Sequence, residues 1–278
     1  MILDGKKIAL SFQEAMREKI SSFSGRKPGL TMVLVGENPA SLSYVQAKKK
    51  ACLNVGIVSE IITLPPTLSE RDLILAIDQL NREPSVDGIL VQLPLPPHIN
   101  PQRIMFAIDP RKDVDGFHPV NIGKLLLGHD DGFIPCTPLG VKTLLESYRI
   151  PIQGKHVVIV GRSDIVGKPL AALLMQKKEG CNATVTVTHS QTEHLFDITR
   201  SADILVAALG RPQSIRKEMI KPQAVVVDVG INRVNGKLVG DVDFEDVQTK
   251  ASAITPVPGG IGPMTIAMLL QNTLLAFS

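Results

Sequence analysis

Short apolar runs alternate with amphipathic helical stretches along almost the whole chain, and few architectures can bury such a pattern. Residues 6–22, 41–55 and 69–82 carry apolar side chains at helical spacing, whereas 30–35, 57–64 and 88–93 are short and β-rich. Strands buried on both faces read as continuous apolar runs, and parallel pairing needs a crossover between them. The succession predicts an α/β fold with a largely parallel sheet. Pro94, Pro96, Pro97, Pro101, Pro110 and Pro119 then punctuate a stretch with no sustained period, read as a loop-rich lip of an active site. A second series opens at Thr137-Pro138, read as an N-cap with proline at the first helical position. Strands are expected at 156–160, 183–188, 204–207 and 224–228, and Asn235-Gly236 marks a type I′ hairpin between 231–234 and 237–239. A final helix over about 263–277 is apolar on several sides. At 278 residues two lobes are expected, 1–120 with 264–278 and a Rossmann-like 137–263, with an active-site cleft between them.

Charge and cysteine content narrow the class. Thirty basic and 27 acidic side chains leave +3, too weak and dispersed for a nucleic-acid stripe. Lys48-Lys49-Lys50 is, on its own, an ordinary solvated helix face. Cys52, Cys136 and Cys181 are odd in number and far apart, so neither a disulfide framework nor a zinc site is expected. The first residues lack a long apolar core, and no apolar run reaches the roughly 18 residues of a membrane span. The expectation is a soluble, cytoplasmic protein without metal, membrane or nucleic-acid partner.

The glycine loop VVIVGRSDIVGKP, residues 157–169, carries the first chemical signal. An apolar strand runs into Gly161 and a helix starts near Gly167, an arrangement that brings backbone N–H groups and a helix N-terminus to a pyrophosphate. It is no P-loop, because Pro169 stands where a magnesium-binding Ser/Thr would be. Taken alone, it also reads as a tight connection. The following strand ends in His189-Ser190 without the carboxylate that selects a ribose 2′-OH, and Arg162 follows Gly161 directly. Arginine plus hydroxyl suits a 2′-phosphate and favours NADP over NAD. The alternative is a surface arginine beside a capping serine.

A polar cluster precedes that loop. Tyr44 and Lys48, four apart, share a helix face with Ser41. The pair mimics the one in short-chain dehydrogenases, but there it follows the nucleotide loop, and here it precedes it. Gln92 interrupts the apolar run GILVQLPLP, as a satisfied amide or as a polar group set at a cleft. Asp113 and Asp115 in KDVDGF are turn residues or ligand anchors. The loop 255–265, TPVPGGIGPMT, holds more glycine than a plain turn needs, so a ligand edge is expected near its backbone.

Together, ASLSYVQAKKKAC, DGILVQLPLP, KDVDGFHPVNIG, PCTPLG, VVIVGRSDIVGKP, VDVGINRV and TPVPGGIGPMT resemble the bifunctional methylenetetrahydrofolate dehydrogenase/cyclohydrolase family, in order along essentially the whole chain. The resemblance implies an NADP-dependent enzyme of one-carbon metabolism acting on tetrahydrofolate derivatives, a homodimer, with folate in the first lobe and NADP in the second. By position, Lys48 matches the catalytic lysine, Gln92 the glutamine that holds it, Tyr44 the ring that packs on folate, and Asp115 the pterin-binding carboxylate. Gly262 and Pro263 match the folate-pocket loop; Gly161, Arg162, Ser163, Gly167, Ser190 and Ile231 match cofactor-binding positions. Gln191 departs from the pattern, which has lysine there, and loosens the expected NADP selectivity. An NADP oxidoreductase for another small substrate and a non-catalytic dinucleotide sensor are the rival readings.

Overall fold

The structure, a computed structural model, describes residues 1–278 apart from the Ala40 side chain. The chain divides into two compact units, Leu10–Cys136 with Ile266–Ser278, and Thr137–Thr265 with Met1–Ala9. Both are built on parallel sheets, as the alternation predicts.

The first unit centres on β1 (Gly29–Val35), buried at every residue, between β2 (Val58–Leu64) and β3 (Gly88–Val91). α1 (Gly5–Ser21), α2 (Pro39–Val55) and α3 (Glu70–Arg82) provide the helical partners, α1 with its C-terminal part. Ser69 caps α3 by accepting from the Asp72 N–H, and Leu73 and Ile77 turn inward onto Val33, Ile89 and Val91. The order β2-β1-β3 reverses direction at β1, so a crevice opens between the carboxyl ends of β1 and β3, where α/β sheets bind ligands.

The proline-rich stretch is more ordered than expected. It contains α4 (Pro101–Ala107), and Pro119 opens α5 (Pro119–Leu127). Proline sits in the first turn of both, where its missing N–H costs nothing. Asn100 accepts from Gln102 N–H at 2.9 Å and His118 Nδ1 from Val120 N–H at 3.1 Å. These prolines start helices; read as breakers, they hide them.

In the second unit β4 (His156–Val160), β5 (Thr184–Thr188), β6 (Ile204–Ala207), β7 (Val225–Asp228) and β10 (Ala253–Ile254) form a parallel sheet in the order β10-β7-β6-β4-β5. That is a doubly wound order with its reversal between β4 and β6. α6 (Cys136–Ser147), α7 (Gly167–Leu174), α8 (Leu195–Arg200) and α9 (Phe244–Val247) follow in sequence, and α10 (Ile261–Phe277) closes the chain. Thr137 is the second residue of α6, not its cap. The hairpin β8 (Asn232–Val234) and β9 (Lys237–Val239) turns through Asn235 and Gly236 at φ 51° and 79°, as a type I′ turn requires. Residues 1–9 depart from the expected boundary. Leu3 N–H donates to Ile254 O at 2.8 Å and Ile254 N–H to Met1 O at 3.0 Å, so the N-terminus pairs with the two-residue edge strand β10.

No helix among the described residues is long and apolar enough to cross a membrane.

Candidate active site

Gln92 leaves β3 at the crevice of the first sheet, its N–H still donating to Val33 O at 2.9 Å. Its side-chain amide donates to Leu93 O at 2.7 Å, which turns Oε1 the other way. That oxygen accepts from Lys48 Nζ at 3.1 Å. Lys48 projects from α2 and is only 6% exposed, with its ammonium 5.0 Å from the centre of the Tyr44 ring. It forms no ion pair with a carboxylate among the described residues. Burying an amine against a neutral amide and a ring, with a carboxylate acting on it only from beyond ion-pair distance, is costly, so the arrangement is poor as a structural device and suited to chemistry.

Tyr44 and Asp115 complete the group. Burial, then the negative charge of Asp115 and the neighbouring Cys136, push the Tyr44 hydroxyl up to about 12, so it remains a neutral phenol. Burial also raises the Asp115 carboxyl, against the opposing pull of Lys48 and a hydrogen bond with Cys136. The structure separates the two aspartates of KDVDGF. Asp113 is 1% exposed and accepts from His118 N–H at 2.8 Å and Asn121 Nδ2 at 2.9 Å, folding the loop around itself. Asp115 is half-buried and interacts with Lys48 and Tyr44. Gly116 makes the turn at φ 78°, and a Cβ there would lie 2.7 Å from the Pro135 nitrogen.

Two supporting residues escaped the sequence reading. Cys136, buried beside Asp115, donates its thiol to Val114 O at 3.3 Å. Asn272 of α10 donates to Val114 O at 2.8 Å and Ile134 O at 3.0 Å, fixing the backbone on either side of the loop. Cys136 lies within the quoted PCTPLG run, but its contacts depend on tertiary packing. Asn272 stands out only as a polar residue in an apolar helix.

In the second unit Gly161 sits at the reversal of the sheet. Its N–H donates to Thr188 O at 2.9 Å, its φ is 128°, and a Cβ would meet Ala208 O at 2.0 Å. A Cβ on Gly167 would meet Gly161 O at 2.1 Å. Only glycine lets the loop fold down this tightly. Ser163 Oγ accepts from Val166 N–H at 3.2 Å and its carbonyl from Lys168 N–H at 3.1 Å, closing the turn into α7. The N–H groups of Arg162, Ser163, Asp164 and Ile165 donate to no acceptor among the described residues. Val160 pairs with Thr188, so Arg162 and Ser190, both exposed, each stand two residues past the same register position. Unpaired N–H groups, a guanidinium and a hydroxyl at one sheet edge fit the phosphates of a dinucleotide.

Ile231, 51% exposed, follows Gly230 beyond β7, and its Cδ1 lies 3.6 Å from where a Cβ on Gly262 would be. Gly262 and Pro263 form the first turn of α10 and belong to the unit of the dinucleotide sheet.

A sheet edge with unpaired N–H groups after a glycine turn, and separately a buried amine in the other unit, are features found in dinucleotide-dependent α/β enzymes. The sequence pattern of the tetrahydrofolate dehydrogenase/cyclohydrolase catalytic domain matches residues 3–115, and that of the family's NAD(P)-binding domain matches residues 135–278. The chain belongs to the tetrahydrofolate dehydrogenase/cyclohydrolase family. It is 54% identical to the bifunctional protein FolD of Protochlamydia amoebophila, over 100% of this chain and 98% of the relative. The crystal structure of the bifunctional FolD of Campylobacter jejuni is 49% identical and superposes with a TM-score of 0.96, covering 99% of this chain and 98% of that one. The Trypanosoma brucei dehydrogenase–cyclohydrolase, solved with NADP and an inhibitor, is 40% identical with a TM-score of 0.93, over 100% and 97% of the two chains.

Proposed function

We propose that the chain oxidises 5,10-methylenetetrahydrofolate to 5,10-methenyltetrahydrofolate with NADP, then hydrolyses that product to 10-formyltetrahydrofolate with Lys48 moving the protons. The observation that carries the reading is the buried Lys48 ammonium held at 3.1 Å by Gln92 Oε1 without a carboxylate ion pair. The acceptor for the hydride leaving the methylene carbon would be supplied by NADP, held at the loop of residues 161–167.

Hydride departure leaves an amidinium whose charge is shared by two folate nitrogens, so this step calls for alignment more than for a protein base. Asp115 holds the pterin by hydrogen bonding and Tyr44 packs on the ring. Hydrolysis makes different demands. Water adds to the amidinium carbon, the bond to N5 breaks, the formyl group stays on N10, and one proton is released overall. Lys48 carries protons between the attacking water and the departing nitrogen, while Gln92 aims it. Gly262 and Pro263 are given to folate binding by the family resemblance alone.

The N–H groups of residues 162–165, with Gly161, Ser163 and Gly167 shaping the loop, would hold the pyrophosphate. Arg162 and Ser190 would take the 2′-phosphate, and Ile231 would pack on the cofactor. Folate is assigned to the Leu10–Cys136 unit and NADP to the Thr137–Thr265 unit. A homodimer in the cytoplasm belongs to the same proposal and rests on the family resemblance.

The test is absorbance at the NADPH and methenyl bands after mixing the protein with methylenetetrahydrofolate and NADP or NAD. NADPH formation with accelerated decay of the methenyl product supports both steps. NADPH without accelerated decay removes the hydrolytic role of Lys48, and silence with both cofactors overturns the whole reading.

A further inference from the structure

Beyond β7 the second unit holds a pair of buried carboxylates that no step above uses. Asp241 is 0% and Asp228 3% exposed, and neither has a cationic partner among the described residues. Asp241 Oδ2 accepts from the N–H groups of Leu209 at 2.6 Å and Gly210 at 2.9 Å. Its Oδ1 accepts from Arg211 N–H and from Asn232 Nδ2, both at 2.9 Å. Asp228, the last residue of β7, in turn holds Asp241: its Oδ1 accepts from Gly230 N–H at 2.9 Å and Asp241 N–H at 3.0 Å, and its Oδ2 from Val242 N–H at 2.9 Å.

The packing is reciprocal. A Cβ on Gly230 would lie 2.3 Å from the Asp241 carboxyl carbon, and one on Gly240 would touch Asp228 Oδ2 at 1.8 Å. Each carboxylate fills the space that a side chain on the other's glycine would need.

What the carboxylates tie down is informative. The segment gathered by Asp241 Oδ2 begins one residue after Ala208, whose carbonyl forms the floor under Gly161. Asn232, gathered by Oδ1, adjoins Ile231. One side chain thus binds the loop after β6 to the loop after β7, and both border the sheet edge assigned to the dinucleotide. Backbone bonds flank the pair, from Val229 N–H to Ala207 O and from Gln213 N–H to Gly240 O, both within 3.0 Å, and the carboxylate adds charge-assisted bonds to Leu209, Gly210, Arg211 and Asn232 between them.

We infer that Asp241 is a positioning residue for the dinucleotide: through Leu209, Gly210, Arg211 and Asn232 it holds the two loops in the shape that accepts NADP. The inference rests on the assignment of NADP to this unit. Asp241→Asn keeps the volume but turns an amide toward N–H donors, so two bonds become clashes of like donors. Asn232→Ala removes a single bond from a partly exposed residue and leaves the buried pair in place.

The experiment is calorimetric titration of the full chain with NADP, with KM for NADP and for methylenetetrahydrofolate and the thermal midpoint measured alongside. The expected result for Asp241→Asn is a folded protein whose Kd and KM for NADP rise at least tenfold, with the folate KM within twofold. For Asn232→Ala about threefold weaker NADP binding is expected. Unchanged NADP affinity in folded Asp241→Asn overturns the inference, as does an equal rise in both KM values. If Asp241→Asn does not fold, Asn232→Ala decides, and affinity equal to that of the parent overturns it. Failure of the parent chain itself to bind NADP would instead strike the assignment on which the inference stands.

Discussion

Lys48 Nζ donates to Gln92 Oε1 across 3.1 Å, and Gln92 can present that oxygen because its amide is committed to Leu93 O at 2.7 Å. Lys48→Met should therefore separate the two activities. Removing a general acid–base costs roughly 10²–10⁴-fold, so methenyl decay should fall by that factor while NADPH formation falls far less. Equal, mild losses in both would sink the role given to Lys48.

Asp115 is a carboxylate on which Lys48 acts electrostatically. A charged hydrogen bond is worth about 1.5–3 kcal/mol, so Asp115→Ala should weaken folate binding by roughly ten- to a hundredfold. Titration with folate in the absence of cofactor measures this, and unchanged affinity refutes the pterin contact.

Arg162 and Ser190 share one register edge, and Gln191 brings no charge to it. Arg162→Gln should raise KM for NADP more than about tenfold and leave KM for NAD nearly unaltered, because only NADP carries the 2′-phosphate. A parallel rise for both cofactors would mean the guanidinium only supports the loop.

Gly161→Ala should destabilise the protein directly. The added methyl would meet backbone at Ala208 O, 2.0 Å away, with φ at 128°. A cost of at least about 2 kcal/mol is expected from strain and clash together. Scanning calorimetry should show the midpoint lower by more than about 4 °C, given roughly 2–4 °C per kcal/mol in a chain of this size. A midpoint equal to the parent's contradicts the close approach.

Asp113 gives a pH signature. Burial pushes its carboxyl up to about 7, above the ordinary value of 3.8, so the folded chain holds the proton over a range where the unfolded chain has lost it. The folded state then binds more protons, and this group's contribution to stability falls as pH rises from about 4 to about 7. Asp113→Asn removes the effect. The difference in unfolding free energy between parent and variant should shift toward the variant by up to about 1.4 kcal/mol per pH unit across that window. A difference independent of pH would show that Asp113 stays ionised.

Much of this was legible in the chain. The run His156–Val160 reads as a strand because five residues of β-rich character end at a glycine, and the structure keeps those bounds. Asn235-Gly236 specifies its turn locally, through two positive φ values. Features set by distant residues were not legible. β10 is two residues long and exists because β7 lies beside it. Asp113 and Asp115 lie two apart in one short run, and nothing in that run says which folds the loop until Asn121 and His118 claim Asp113. The buried amide–lysine contact joins residues 44 positions apart; spacing suggests Lys48 and Gln92 separately, and it is the family resemblance that pairs them. Asp241 looks like any acidic loop residue until its four donors are counted in space.

The reciprocal fit of Asp228 with Gly240 and of Asp241 with Gly230 has an evolutionary consequence. None of the four positions can drift alone. A side chain at either glycine demands a shorter residue at the facing aspartate; shortening Asp228 leaves three buried N–H donors without an acceptor, and shortening Asp241 releases four partly buried ones. Every single-step route away from the quartet passes through a less stable intermediate, so the four residues are heritable as a block, and a lineage could exchange them only through near-simultaneous replacements.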